Sequence, residues 1–326
     1  MLLCATHTGS AQLKRFSFTE SKMGSPFTII MFCNDSLQAG NLARQCFALV
    51  DSFVFIFSDY IDSSELSKLS AANEKPVSVS PAMLEILLLS KTAFDKSDGA
   101  FDITMGPLVK MWRLIKKTNQ WPTAEEVQAK KKLTGFNKMI LDTVHKKLTL
   151  LQPGMQLDLG GIAQGYIAGK IMDYLRSQNV NHALVNVSGD IVMSQAPPGT
   201  KGWRVGINLP ETKEELLPGY LFMQNRAVTS SGDVYQYIEH NGKRYSHILD
   251  PRTGYGVTSQ RNVTVIAKDA VTADWLATAC SILPVGKAKR LAKKINAELL
   301  IGTIKKGKFV FKATRGFGSY WKKAPS

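Results

Sequence analysis

Leu157–Tyr166 reads L-D-L-G-G-I-A-Q-G-Y. A short apolar run carrying one carboxylate, Asp158, meets a glycine pair, Gly160 and Gly161, and a helical pattern follows. Ala163, Ile167, Ile171 and Tyr174 recur about one turn apart, which predicts a helix running to Gln178. Strand, glycine pair and helix start together bring bare backbone close to a phosphate or a metal ion. Glycine removes the Cβ, and the helix amino end offers free N–H groups and partial positive charge. The stretch is neither G-x-G-x-x-G nor a Walker loop, so the common nucleotide fingerprints do not apply. A tight strand-to-helix turn with no ligand would read the same way.

Working outward, Phe16–Ser21 and Pro26–Phe32 read as strands joined by K-M-G-S, and residues 36–57 as a helix with Leu42, Cys46, Leu49 and Phe53 on one face. Ser63 or Ser64 can cap a short helix, and Ser80 followed by Pro81 predicts a helix to Ser97. Thr123 opens another, and residues 113–156 are the most polar part of the chain. Leu141–Gln156 and Ala183–Met193 read as strand–turn–strand. Strands are expected at Trp203–Leu209, Leu221–Thr229, Arg244–Leu249 and Asn262–Ala267. Helices follow at Thr272–Leu283 and Val285–Ile295, then a hairpin over Glu298–Lys312 turning at Lys306-Gly307. The irregular alternation with several hairpins predicts an α+β fold rather than a doubly wound sheet. With no low-complexity linker and no strong repeat, residues 12–326 read as a single domain of two lobes.

A chain of 326 residues with 44% hydrophobic and 21% charged residues can bury a substantial core. No apolar run approaches the ~20 residues that span a bilayer, so no transmembrane segment is expected. The net charge of +15 is spread over lysine pairs such as Lys116-Lys117 and Lys146-Lys147. That suits anionic ligands and gives no sign of a specific nucleic-acid site. Cys4, Cys33, Cys46 and Cys280 have no metal-ligand spacing, and three of them sit in apolar surroundings as buried thiols. Residues 1–11, ending T-G-S-A before Gln12, fit either the tail of a secretory signal or a frayed terminus.

Four more motifs stand beside the first: G-A-F-D-I-T-M-G-P-L-V (Gly99–Val109), V-T-S-S-G-D (Val228–Asp233), R-Y-S-H-I-L-D-P-R-T-G (Arg244–Gly254) and T-A-D-W-L-A-T-A (Thr272–Ala279). Each has an ordinary explanation. Asp274 stabilises a helix dipole, His247 can be a core histidine, and D-P-R-T-G is turn chemistry. In this order and at these spacings, however, the five motifs resemble the ApbE family, the FAD:protein FMN transferases. The resemblance runs from K-M-G-S near Met23 to about residue 300.

The resemblance implies a T-fold-like ApbE architecture, two lobes of mixed or antiparallel sheet with flanking helices around a central FAD cleft. It implies Mg²⁺-dependent cleavage of the FAD pyrophosphate, with FMN passing to a threonine or serine hydroxyl of an acceptor flavoprotein subunit and AMP leaving. No acceptor-threonine motif is evident in this chain, so modification is expected in trans. The residues suit the chemistry. Mg²⁺ takes oxygen ligands, and Asp274 and Thr278, four apart on one helix, offer a carboxylate and a hydroxyl on one face. By similarity, the carbonyls of Gly161 and Ala277 complete the metal set. Also by similarity, Asp158 and Gln164 touch the flavin nucleotide, and Ile248 contacts FAD through its backbone. Met23, Tyr60, Ala100, Phe101 and Asp102 form the cleft, with Tyr60 and Phe101 as stacking surfaces. His247, with a pKa ordinarily near neutrality, is the candidate general base for the incoming hydroxyl or an orienting donor to the phosphate. The resemblance also implies a periplasmic, extracytoplasmic protein, with a cytoplasmic one as the alternative.

This sequence departs from the family pattern in three places. Gln164 stands where lysine is common, D-I-T-M-G-P replaces D-P-T-V-G-P, and W-R-L-I replaces a W-G-F-G type segment. Two other readings use the same residues: a Mg²⁺-dependent FAD pyrophosphatase with water as acceptor, and a non-catalytic FAD-binding protein, which would not need His247.

Overall fold

Strict alternation of buried and open residues makes the amino-terminal hairpin the seed of the main sheet. The computed structural model describes residues 12–208, 216–232, 237–305 and 308–323. The segment 1–11, Asp233 and the expected Lys306-Gly307 tip lie outside these residues. β1 (Lys14–Lys22) pairs with β2 (Ser25–Cys33), and Phe27, Ile29, Met31 and Cys33 of β2 are buried. Met23 and Gly24 both take positive φ, 55° and 72°, the twist a two-residue hairpin needs. α1 (Ser36–Phe57) follows, capped by Asp35, whose carboxylate accepts the Gln38 amide at 2.8 Å. It alone among the described helices is long and apolar enough to cross a bilayer, yet Leu42, Cys46, Val50, Phe53 and Phe57 are packed into the core.

Ser64 caps α2 (Glu65–Ala71), β3 (Val77–Ser78) is brief, and Ser80 caps α3 (Pro81–Lys96), as the cap residues predict. α4 (Gly106–Thr118) was not expected from the sequence. Its Leu108, Trp112 and Ile115 form a buried stripe, and Asn119 ends it in the left-handed conformation. Thr123 and Glu126 close a capping box on α5 (Ala124–Lys131). β4 (Met139–Asp142) and β5 (Lys147–Leu150) form the polar-region hairpin, and with β3 a small sheet.

Leu157–Leu159 is not a strand, contrary to the reading above. Leu157 and Leu159 are both buried, and the backbone is held individually, Asp158 N–H by the Ile103 carbonyl at 2.8 Å and Leu157 N–H by Ser70 Oγ at 3.3 Å. α6 (Ala163–Ser177) then starts as expected. β6 (Ala183–Val187) and β7 (Asp190–Met193) pair through Ser188-Gly189, again with positive φ. β8 (Trp203–Val205) is shorter than expected. The stretch expected as one strand, Leu221–Thr229, is two: β9 (Gly219–Met223) and β10 (Arg226–Gly232) belong to different sheets, and Asn225, at φ 50°, turns the chain between them. β11 (Tyr237–His240) and β12 (Lys243–Ser246) form an Asn241-Gly242 hairpin. The expected strand to Leu249 therefore stops at Ser246, because Ile248 N–H turns back to Ser246 Oγ at 3.1 Å. β13 (Arg261–Ala267), α7 (Ala270–Ile282), α8 (Val285–Lys294), β14 (Glu298–Lys305), β15 (Lys308–Ala313) and β16 (Trp321–Lys323) complete the order.

The main sheet runs β1-β2-β6-β7-β10-β13-β14-β15, and all its pairings are antiparallel. The period of two divides its side chains between two cores. Ala227, Val185 and Val265 face α1, α6 and α7 in the larger one, while Val228, Leu184 and Ile266 pack on the β16-β9-β8 sheet. A third cluster joins Leu108, Trp112, Ile115 and Val127 of α4 and α5 to Leu249, which ties the D-P-R-T-G turn to α4. The fold is α+β.

Candidate active site

Two helices meet at glycines. A Cβ on Gly165 would lie 2.4 Å from the Ala270 carbonyl oxygen and 2.7 Å from Asp274 Cβ, so only glycine lets α6 approach α7 this closely. A Cβ on Gly161 would lie 2.9 Å from Thr278 Oγ1 and 3.2 Å from the Phe101 ring. The glycine turn thus rests on the face of α7 that carries Asp274 and Thr278. The first motif, the Thr272–Ala279 motif and Phe101 are brought together, as the sequence predicts.

Asp274 is 5% exposed, and Gly165 N–H donates to its Oδ2 at 2.9 Å. That amide, which the sequence leaves for an anion, is therefore engaged within the protein. Burial pushes the Asp274 carboxyl well above the usual range, and the neighbouring Asp190 carboxylate pushes it further. Asp190, at the start of β7, is itself buried and raised to about 6 by burial, against a hydrogen bond from Thr229. Two buried carboxylates facing one another call for a cation or a proton. Sequence reasoning missed Asp190. Its signal was a carboxylate at the head of an otherwise apolar strand, D-I-V-M.

The donor set fits a hard cation: a carboxylate from Asp274, the Thr278 hydroxyl and the backbone at Gly161, where an added Cβ would fill the cradle. No three acidic, histidine or cysteine side chains converge on one point among the described residues, so an ion held here would need backbone and hydroxyl oxygens as well. Ala277 is fully buried, and its carbonyl already accepts the Ser281 hydroxyl at 2.9 Å.

The nucleotide-side residues divide into two groups. Asp158 is held at both oxygens: Oδ1 accepts Gly160 N–H at 2.8 Å and Oδ2 accepts Arg113 Nη2 at 2.9 Å. Asp102 caps the turn at Ile103, accepting the Thr104 amide at 2.8 Å and hydroxyl at 2.7 Å. Ala100 and Phe101 are buried, and the Phe101 ring lies edge-on to Trp275, so it backs the glycine turn instead of presenting an open stacking face. Tyr60, by contrast, is 76% exposed. Met23 is exposed in the β1–β2 turn, and Gln164 is half-buried in the first turn of α6, which has no side-chain cap.

His247 is exposed at the bend after β12, not on the strand with Tyr245. Ile248 is buried, with its N–H on Ser246 and its carbonyl accepting Val257 N–H at 2.9 Å. The turn behind is rigid. Asp250 accepts the Arg252 amide and guanidinium, which hold its carboxyl low against burial, and Trp112 Nε1 donates to the Gly254 carbonyl at 3.1 Å.

A sequence model described as the ApbE family matches residues 23–301. A curated FAD:protein FMN transferase of Klebsiella pneumoniae is 35% identical over 262 residues, 79% of each chain. One of Haemophilus influenzae is 30% identical over 268 residues, 80% of this chain and 78% of the relative. Among solved structures, a mutant of the flavin transferase ApbE from Vibrio cholerae superposes with a TM-score of 0.85 at 26% identity, covering 94% of this chain and 99% of that one. The apo flavinyl transferase ApbE of Pseudomonas stutzeri gives 0.84 at 27%, covering 95% and 97%.

Proposed function

Because this chain belongs to the ApbE family, we propose that the cleft at Gly161, Asp274 and Thr278 is where it moves FMN from FAD to a threonine or serine hydroxyl of another protein. The chain is an FAD:protein FMN transferase, with FAD as substrate and a protein as acceptor. The observation that carries the siting is the contact of the Gly161 turn with the Asp274–Thr278 face of α7, beside the buried Asp190.

Asp274, Thr278 and the Gly161 carbonyl would hold Mg²⁺, which supplies the positive charge a pyrophosphate needs. The Ala277 carbonyl would join them only if the Ser281 hydroxyl turns away. Gly165 N–H orients the Asp274 carboxylate. Tyr60 offers an open ring to a base or flavin, and Asp158 keeps the glycine turn in place. Exposed His247 accepts the proton of the incoming hydroxyl. The acceptor oxygen bonds to the phosphorus of the FMN half, the bond to the AMP phosphate breaks, and AMP leaves.

Mass spectrometry of a co-expressed candidate acceptor, incubated with FAD and Mg²⁺, tests the reading. An FMN adduct on a threonine or serine with matching AMP release supports it. Free FMN and AMP with an unmodified acceptor would favour the pyrophosphatase. An extracytoplasmic place of action, resting on Thr8–Gln12 and the family resemblance, is tested by cell fractionation: recovery in the cytosol with an uncut amino terminus would reverse it.

A further inference from the structure

α4 turns one side chain into the cleft that the transfer chemistry does not use. Arg113 bridges two carboxylates, Nη1 donating to Asp59 Oδ2 and Nη2 to Asp158 Oδ2 at 2.9 Å. The guanidinium also lies over the Tyr60 ring, 4.4 Å from its centroid. The two acids are far more enclosed than the base, with side chains 14% and 13% exposed against 34% for Arg113. The arrangement continues beyond the triad, because the other oxygen of Asp158 holds Gly160 N–H at 2.8 Å. One guanidinium therefore fixes an open aromatic ring on one side and the glycine turn on the other. Lys110, one turn earlier on α4, adds positive charge near Asp158.

We propose that Arg113 is a positioning residue for FAD binding, holding the Tyr60 ring as a stacking platform and the Asp158–Gly160 turn as the phosphate-side wall. The proposal rests on the functional reading above. It follows from what the guanidinium can do: its planar fork satisfies two carboxylates at once while its face lies on an aromatic ring, which an ammonium cannot reproduce. Tyr60 follows Asp59 directly, so the Arg113–Asp59 bond fixes the backbone that carries the platform. Without Arg113, two partly enclosed acids, Asp59 and Asp158, would lose their shared counter-charge, and the wall would loosen. Arg113 spends its guanidinium on Asp59, Asp158 and the Tyr60 ring, all on the nucleotide side of the site, so its effect is expected in binding.

The test compares Arg113→Met, Arg113→Lys and wild type in full-length protein, with FAD turnover, melting temperature, and separate titrations with FMN and AMP. Arg113→Met is expected to raise the FAD KM on the order of 10-fold while kcat stays within about 3-fold, the signature of lost uniform binding. Arg113→Lys should recover part of that loss, keeping charge without the fork. The affinity loss should be clearly larger with one half of FAD, FMN or AMP, according to which ring Tyr60 carries. A wild-type FAD KM in Arg113→Met would overturn the proposal. So would a fall in kcat at unchanged KM, or equal weakening of FMN and AMP, which would mean general damage to the cleft. Failure of wild type to turn over FAD would instead remove the functional reading beneath it.

Discussion

Gly165→Ala is the substitution whose consequence the geometry states most sharply. The added Cβ would sit 2.4 Å from the Ala270 carbonyl oxygen, 2.9 Å from its carbon and 2.7 Å from Asp274 Cβ. None of these atoms is the end of a flexible side chain, so α7 as a whole must retreat from α6. Restoring an ordinary 3.4 Å contact requires a shift of about 1 Å. Such overpacking costs about 1–3 kcal/mol, and the Gly165 N–H bond to Asp274 lengthens with the shift. Alanine's higher helix propensity returns up to about 1 kcal/mol. The net change should lower Tm by up to roughly 8 °C, at a few degrees per kcal/mol. Activity should fall further, because a misplacement of about 1 Å at a reacting centre can cost ~10²-fold. Gly169→Ala is the matched control, one turn along the same helix with nothing within 4 Å of its added Cβ, and it should be neutral or stabilising. The assay is thermal melting of both variants, with AMP release measured well below either Tm. If Gly165→Ala matched Gly169→Ala in both, the close α6–α7 approach would not be what positions Asp274.

Three further outcomes are expected. Asp274→Asn should abolish AMP release and remove any Mg²⁺-induced rise in Tm, since it removes the carboxylate proposed to hold the ion; a Mg²⁺ response equal to wild type would refute the metal role. Metal-free stability should fall as pH rises from near 4 through about 6, because raised carboxyls make the folded state hold more protons than the unfolded chain across that window. Asp190→Asn should flatten the fall in pH-dependent melts; an unchanged slope would count against the buried pair. His247→Ala should bind FAD normally and keep its Tm, as expected for an exposed residue, while single-turnover transfer drops by ~10²–10⁴-fold. Unchanged transfer would leave activation of the hydroxyl to other groups.

What could be read from the sequence was mostly local. Caps at Ser80 and Thr123 need only the residues beside them and were legible, and Ser64 was one of two adjacent serines that could serve. Asp274 and Thr278 share a face by helical spacing alone. α4 was missed although Leu108, Trp112 and Ile115 have helical spacing, because G-P reads as a turn and its carboxy-terminal half is strongly basic. The division of β9 from β10 rests on Asn225 entering a left-handed turn, which an apolar run conceals. The unread parts of the site are long-range. Arg113 meets partners 54 and 45 residues away, and Asp190 matters only because α7 lies beside β7 and β10. Phe101 looked like a stacking surface because composition cannot tell a ring in a cleft from one beneath a glycine turn.

The site divides into a fixed half and an open half, and the division follows from the chemistry each must perform. Asp274 and Asp190 are an unfavourable pair in isolation, both buried, with the Asp190 carboxylate adding to the cost of charging Asp274. Such a pair persists only on elements that cannot separate, and α7 is held by α6 at Gly165 while packing on β7, β10 and β13. An entering cation would offset the cost of charging both, so on the proposed reading the core itself prepares the binding of positive charge and of the pyrophosphate it neutralises. The acceptor hydroxyl has the opposite requirement, since it arrives on another protein and must reach the reacting phosphorus from solvent. Tyr60 and His247 are accordingly on exposed segments, each anchored from behind: Tyr60 through Arg113, and the turn after His247 through Trp112. Arg113 and Trp112 are consecutive on α4, so one helix sets the spacing between Tyr60 and the turn that follows His247, the proposed platform and base. A substitution that tilts α4, such as Leu108→Ala in its fully buried stripe, should therefore weaken FAD binding and slow transfer together, while Mg²⁺-induced stabilisation through α7 is retained. Equal loss of the Mg²⁺ response, read by melting with and without the ion, would show that the two halves are not separately supported.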